Sequence, residues 1–211
     1  MKQNRENPFF ETYRTPFGTP PFDQIETEQY EPAFDEGIWQ LDEEVRAIAD
    51  NTELPTFENT IIALERSGKL LDKVISAFFN VLNAEADDEM MDISQRVSPK
   101  LSESSNNIYL NEQLFARVKS VYDRKDELHL PMEDARLLEK TFEAFCARGA
   151  ALGPEEKEKY RKLSSELSLL SLTFDQNALK DKNRYELLLT KEDELEGLPE
   201  SIREALSLIH I

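Results

Sequence analysis

Residues 55–68 read Pro55-Thr-Phe-Glu-Asn-Thr-Ile-Ile-Ala-Leu-Glu-Arg-Ser-Gly68, and they mark the start of a helix. Thr56 suits the N-cap, because its hydroxyl can accept from the free backbone N–H of Glu58 or Asn59. Glu58 in the first turn complements the positive end of the helix dipole. Beyond the cap, Phe57, Ile61, Leu64, Leu71, Ile75, Phe78 and Leu82 recur at helical steps, with Ile62, Val74 and Phe79 widening the stripe. The spacing predicts one helix over residues 57–83, ~40 Å long at the α-helical rise. Gly68 falls on that stripe. A mid-helix glycine costs ~1 kcal/mol relative to alanine, so it either lets a neighbouring helix approach closely or marks a kink.

Working outward, the same periodicity predicts five more helices. The first runs from Glu31 or Pro32 to about Asp50, with Ala33, Phe34, Ile38, Leu41, Val45, Ile48 and Ala49 on one face and Gly37 and Trp39 interrupting the polar side. A third covers residues 88–109 behind the cap candidates Asp87 and Asp88, with a kink expected near residues 96–98 because Pro99 lies inside it. Asn111 caps a fourth over residues 112–128. Pro131 opens a fifth, to about Arg148, and Pro154 a sixth over residues 155–180. The sixth carries a stripe of Tyr160, Leu163, Leu167, Leu170, Phe174 and Leu179.

The two ends differ from this body. Residues 1–29 alternate prolines with aromatics, as in Thr15-Pro-Phe-Gly-Thr-Pro-Pro-Phe22. Proline fixes φ and pushes its predecessor to extended geometry, so no helix forms there. The expectation is an extended arm strapped across the body, with Phe9, Phe10, Phe17 and Phe22 pinned in grooves. At the other end, Tyr185-Glu-Leu-Leu-Leu-Thr190 is short, apolar and aromatic-led, and is expected to be a strand. A helical turn follows at residues 191–195, and another helix starts near Leu198. A lone strand exposes unpaired backbone groups, and residues 207–211 drop the charged pattern. The expectation is therefore a fragment whose last five residues are not native. The fold class predicted is mostly α: an irregular bundle of long antiparallel helices (30–184), the arm (1–29), and the truncated start of a further subdomain (185–211) with one short strand.

The 211 residues carry 25 Lys and Arg against 43 Asp and Glu, a net charge of −18. Such a chain repels phosphate backbones and anionic lipid surfaces, which disfavours nucleic acid and membrane as partners. No apolar run approaches the ~18 residues of a membrane span, and the first residues lack a signal-peptide core. A cytoplasmic location is expected.

The single cysteine, Cys146, excludes an intrachain disulfide. It sits between apolar neighbours and is expected to be a buried structural thiol. The two histidines, His129 and His210, have no second ligand at metal-binding spacing, and His129 is expected to be an exposed loop residue. The clusters Asp87-Asp-Glu89, Glu155-Glu156 and Glu192-Asp-Glu194 each sit at a predicted helix start, where they complement the dipole. None has the glycine turn of a calcium loop. No catalytic, cofactor-binding or metal-binding residue is therefore expected in this chain.

Several blocks resemble one enzyme family. They are Asn7-Pro-Phe-Phe10, Thr19-Pro-Pro-Phe-Asp-Gln-Ile25, the stretch from Pro55 to Glu65, Ser98-Pro-Lys-Leu-Ser102, Asn106-Asn-Ile-Tyr-Leu-Asn111, Leu163-Ser-Ser-Glu-Leu-Ser168 and Phe174-Asp-Gln-Asn177. Their order and spacing resemble the N-terminal region of the thimet oligopeptidase family of zinc metallopeptidases, in its bacterial peptidyl-dipeptidase and oligopeptidase A branch. The resemblance implies a two-lobed helical enzyme with a deep channel, in which this region forms part of a wall and its lid. In that family zinc is held by H-E-x-x-H and a further glutamate in the C-terminal half, and the motif glutamate activates water. No H-E-x-x-H occurs in these residues. The resemblance thus implies a fragment inactive alone, zinc only in the full-length parent, short peptides as the substrates of a monomeric parent, and a role in gating them. The competing expectation is a free-standing acidic helical module that binds other proteins.

Overall fold

Thr56 caps its helix as its residue type requires. Its hydroxyl accepts from Asn59 N (3.0 Å), and Asn59 Oδ1 returns the bond to Thr56 N (2.8 Å). A computed structural model describes residues 7–85, 87–189 and 191–208, and they are mostly helical. In chain order the helices are α1 (Tyr30–Ala49), a π-helical turn (Phe57–Ile62) running into the short α2 (Ala63–Glu65), α3 (Lys69–Glu85), α4 (Asp88–Tyr109), α5 (Glu112–Tyr122), α6 (Met132–Ala147), α7 (Pro154–Arg184) and α8 (Glu200–Leu208). Short 3-10 turns occur at Pro8–Phe10, Pro16–Gly18, Thr27–Gln29 and Glu192–Leu195.

The single helix expected over residues 57–83 is broken. Gly68 adopts φ +75°, a left-handed conformation that residues with a Cβ rarely take. There α2 gives way, through a turn at residues 66–68, to α3. Glu44 on α1 accepts from Gly68 N (2.8 Å), tying the break to the neighbouring helix. The close approach falls instead at Gly37 on α1. A Cβ there would lie 3.0 Å from Leu71 Cα and 3.1 Å from Leu71 N.

Two apolar clusters form the interior of the body, which comprises residues up to 173. In the first, Tyr30, Ala33 and Phe34 of α1 meet Val74 and Phe78 of α3 and Met90, Ile93 and Val97 of α4. Phe34 stands edge-on to Phe78 with ring centroids 5.3 Å apart. In the second, Val45 and Ile48 of α1 pack with Ile61, with Leu114, Val118 and Val121 of α5, and with Leu138 and Phe145 of α6. Leu41 touches both clusters. The contacts Phe34–Phe78 and Gly37–Leu71 run in opposite senses along α1 and α3, so that pair is antiparallel. Glu31–Arg96 and Asp35–Lys100 run in the same sense, so α1 and α4 are parallel.

The arm is held around Phe9, and Phe10, Tyr13 and Ile25 also pack against the first cluster. Phe9 is buried against Tyr30, whereas Phe17 is fully exposed and Phe22 is 52% exposed. Neither of the latter two is pinned as expected. Phe17 sits at φ 60° in a tight turn that faces it away from the body. Lys73 Nζ donates to Phe9 O (2.8 Å) and Glu11 O (2.7 Å) and lies 3.7 Å above the Tyr13 ring.

Other expectations also shift. α4 continues through Pro99, which lies inside the helix without ending it. α5 ends at Tyr122 rather than near Leu128, and turns follow as far as His129. Residues 185–189 are irregular, and exposed as far as Leu188, rather than a strand, because no second strand among the described residues offers them backbone partners. Thr190 lies outside the described residues, as do His210 and most of the segment expected to be non-native. Residues 174–211 form a separate unit that includes the end of α7 and α8.

Candidate functional surface

The first construction on which function bears is the knot beneath the opening stretch of sequence. Arg117 on α5 is 7% exposed. Its Nη1 donates to Asn51 O (2.5 Å) and Glu53 O (3.0 Å), and its Nη2 to Asn59 Oδ1 (3.1 Å) and Thr60 Oγ1 (3.3 Å). Arg124 adds a bond to Pro55 O (2.5 Å). Two arginines thus hold residues 51–60 through carbonyls and neutral side chains. The four Nη donors of the buried guanidinium fit such a fork of acceptors, while its buried Nε has no acceptor among the described residues. The cap, the π-turn and this knot form one structural unit.

A second construction joins α4 to α7. Asn106 Nδ2 donates to Ser164 Oγ (2.8 Å), and Arg161 Nη1 donates to Asn107 Oδ1 (2.9 Å). Lys157, 8% exposed, pairs with Glu112 at 3.0 Å. Beside these contacts lies a groove of about 410 Å³ walled by serines of both helices, Tyr160 and Arg148. Arg148 stacks 4.3 Å from the Tyr109 ring and donates to Ser105 Oγ (3.1 Å).

These contacts give α7 an inverted character. At 100° per residue, Lys157, Arg161, Ser164 and Ser168 share an arc of about 60°, and that arc faces the body. Leu163, Leu167 and Leu170 occupy another arc of about 60°, and they are 56%, 64% and 60% exposed. Of the stripe that the sequence predicts, these leucines and Phe174 face solvent, whereas Tyr160 lines the groove against α4 and Leu179 is half-buried. Burying one leucine side chain is worth about 1.5–3 kcal/mol, so the helix leaves a large stabilisation unrealised. Beyond Lys157 no described residue is buried at all.

The residues singled out from sequence lie apart from these surfaces. Cys146 is exposed, not buried: Phe142 and Phe145 take the inner face of α6, and Cys146 lies a step of about 100° round from Phe145. His129 is exposed in the turn before α6, at φ 47°. Asp87 caps α4 by accepting from Met90 N (2.8 Å), and Glu156 accepts from Gly153 N (3.0 Å) at the start of α7. Glu194 accepts from Lys191 N (3.2 Å). Among the described residues no group of three or more His, Cys, Asp or Glu side chains is placed to hold a metal ion. No described helix is long and apolar enough to cross a membrane.

Three relatives place these surfaces in context. The dipeptidyl carboxypeptidase of Escherichia coli is 40% identical over 194 residues, covering 92% of this chain and 28% of that protein. The probable cytosolic oligopeptidase A of Arabidopsis thaliana is 27% identical over 88% of this chain and 26% of its own length. Oligopeptidase A of Escherichia coli is 25% identical over 89% of this chain and 28% of its own. The chain thus spans about a quarter of the length of the relatives it matches. No family model matches the chain.

Proposed function

We propose, from the premise that this chain is homologous to the dipeptidyl carboxypeptidases and oligopeptidases A of the thimet oligopeptidase family, that it is the N-terminal part of an enzyme that cleaves short peptides. The observation that carries this is the 40% identity extending over 92% of the chain. Identity at that level over nearly the whole chain goes with a shared architecture, and the work of this part is then structural. It builds one wall of the peptide channel and narrows the entry to short, unfolded substrates. Zinc and the water it activates belong to the part of the protein outside these residues, because no H-E-x-x-H occurs in this sequence and the described side chains form no ligand set. The acidic surface, at a net charge of −18, suits a cytoplasmic enzyme that excludes polyanions.

The test compares this chain alone with a chimera in which it replaces the matched quarter of the Escherichia coli dipeptidyl carboxypeptidase. Alone, it should bind no stoichiometric zinc and release no dipeptide from a blocked tetrapeptide. The chimera should release dipeptide in a chelator-sensitive manner. Zinc-dependent cleavage by the isolated chain, or a folded chimera with no cleavage, would overturn the reading.

A further inference from the structure

We infer that the outward face of α7, centred on Leu163, Leu167 and Leu170, is the seam on which the remaining three-quarters of a family-length polypeptide packs. The inference rests on the proposed function and names the partner of this part. Its ground is the inversion of α7. An amphipathic helix on a finished globule turns its apolar stripe inward. Here Lys157, Arg161 and Ser164 are spent on bonds to α4 and α5, and the leucines are left outside at 56–64% exposure. Both faces of the helix are thus built for contact, one polar and already occupied, the other apolar and bare.

Length identifies the occupant. A match covering 194 of 211 residues necessarily contains residues 18–194, so α7 lies wholly within what is shared with the Escherichia coli relative. The relative's matched segment therefore includes the counterpart of α7 in sequence and, since the match covers 28% of that protein, nearly three-quarters of its chain lies besides. A second copy of this chain is a poorer occupant, because two bodies of net charge −18 repel on approach. A contiguous apolar stripe rimmed by polar residues is the ordinary signature of a protein interface.

The test reads thiol accessibility. In a Cys146→Ser background, Leu163→Cys, Leu167→Cys and Leu170→Cys are introduced one at a time, and labelling by a water-soluble maleimide is timed. The isolated chain should label at the rate of a free thiol at every protein concentration. In the chimera described above, labelling should slow at least tenfold at all three positions and stay fast at Leu54→Cys. The same three aligned positions in the intact Escherichia coli relative, which needs no chimera to fold, should be equally protected. Fast labelling there overturns the seam. Protection of the isolated chain that grows with its concentration assigns the face to a second copy and overturns it too. Peptide cleavage is read separately: an active chimera with reactive thiols refutes the seam and leaves the proposed function standing, and a protected but inactive chimera does the reverse.

Discussion

Gly37 sits where α1 and α3 touch backbone to backbone. A Cβ added there meets Leu71 Cα at 3.0 Å, Leu71 N at 3.1 Å and Leu71 Cβ at 3.2 Å. Two of those atoms are main chain inside α3, so neither can give way without moving the helix. Alanine would gain up to ~1 kcal/mol of helix propensity. Overpacking of a tight contact costs about 1–3 kcal/mol, and with backbone on the far side the upper part of that range applies. Gly37→Ala should therefore lower stability by about 1–2 kcal/mol, seen as a lower urea midpoint with an unchanged slope. Gly153→Ala is the control, because its Cβ would meet only Glu156 Oε2 at an ordinary 3.6 Å. Gly37 in the sequence reads only as a gap in a polar face. The close approach depends on a residue 34 positions away, which no local pattern reports. Arg117 is similar: its charge is plain in the sequence, but the carbonyls of Asn51 and Glu53 that surround it are placed by the fold.

Between elements, the α1–α4 seam carries two carboxylates that titrate in opposite senses. Hydrogen bonds from Arg96, reinforced by the charges of Arg96 and Lys100, hold the Glu31 carboxyl below its usual range despite some burial. Burial pushes the Asp42 carboxyl up, only partly offset by its bond from Ser104 (3.2 Å). A lowered pKa adds stability that is present above the unfolded value and lost as pH falls through the folded one. A raised pKa adds stability that is present below the unfolded value and lost as pH rises through the folded one. At pH 7, Glu31→Gln should thus destabilise the protein by about 0.2–1 kcal/mol, the range for part-exposed pairs. Asp42→Asn should stabilise it slightly. Urea midpoints taken from pH 7 down toward pH 3 should show both differences shrinking; two shifts of the same sign at pH 7 would refute the assignment. The elements themselves are largely legible in sequence. Asn111 accepts from Leu114 N and caps α5 as its residue type predicts, and α4 spans the predicted residues end to end. The break at Gly68 is not legible, because a glycine on a stripe suits a continuous helix, a close contact and a left-handed turn equally well. The missing strand has a different cause. The residues around Leu187 have strand-like composition, but a strand exists only through a partner.

At the scale of the whole molecule, burial is unevenly distributed along the chain. Two apolar clusters occupy the stretch between Phe9 and Ala150, and after Lys157 no described residue is buried. The mostly helical class, and the family through its ordered blocks, can be read from sequence. Which way the α7 stripe faces cannot, because periodicity reveals that a helix has an apolar side and not what lies against it. This asymmetry predicts how the chain opens. Local unfolding costs least where few apolar contacts must be broken, and it approaches the global cost only in the core. Brief trypsin treatment of the isolated chain should therefore cut first at Lys180, Lys182, Arg184 or Lys191, at least tenfold faster than at Arg96, Arg117 or Arg124. The main early product, identified by mass, should retain both clusters and end between residues 180 and 191. First cleavage between residues 30 and 150 would show that the apolar clusters are not the stable part of the chain. If the outward leucines of α7 are covered in the chimera, the same early sites should become resistant there, because cutting α7 near its end would then require prying it off a second apolar surface.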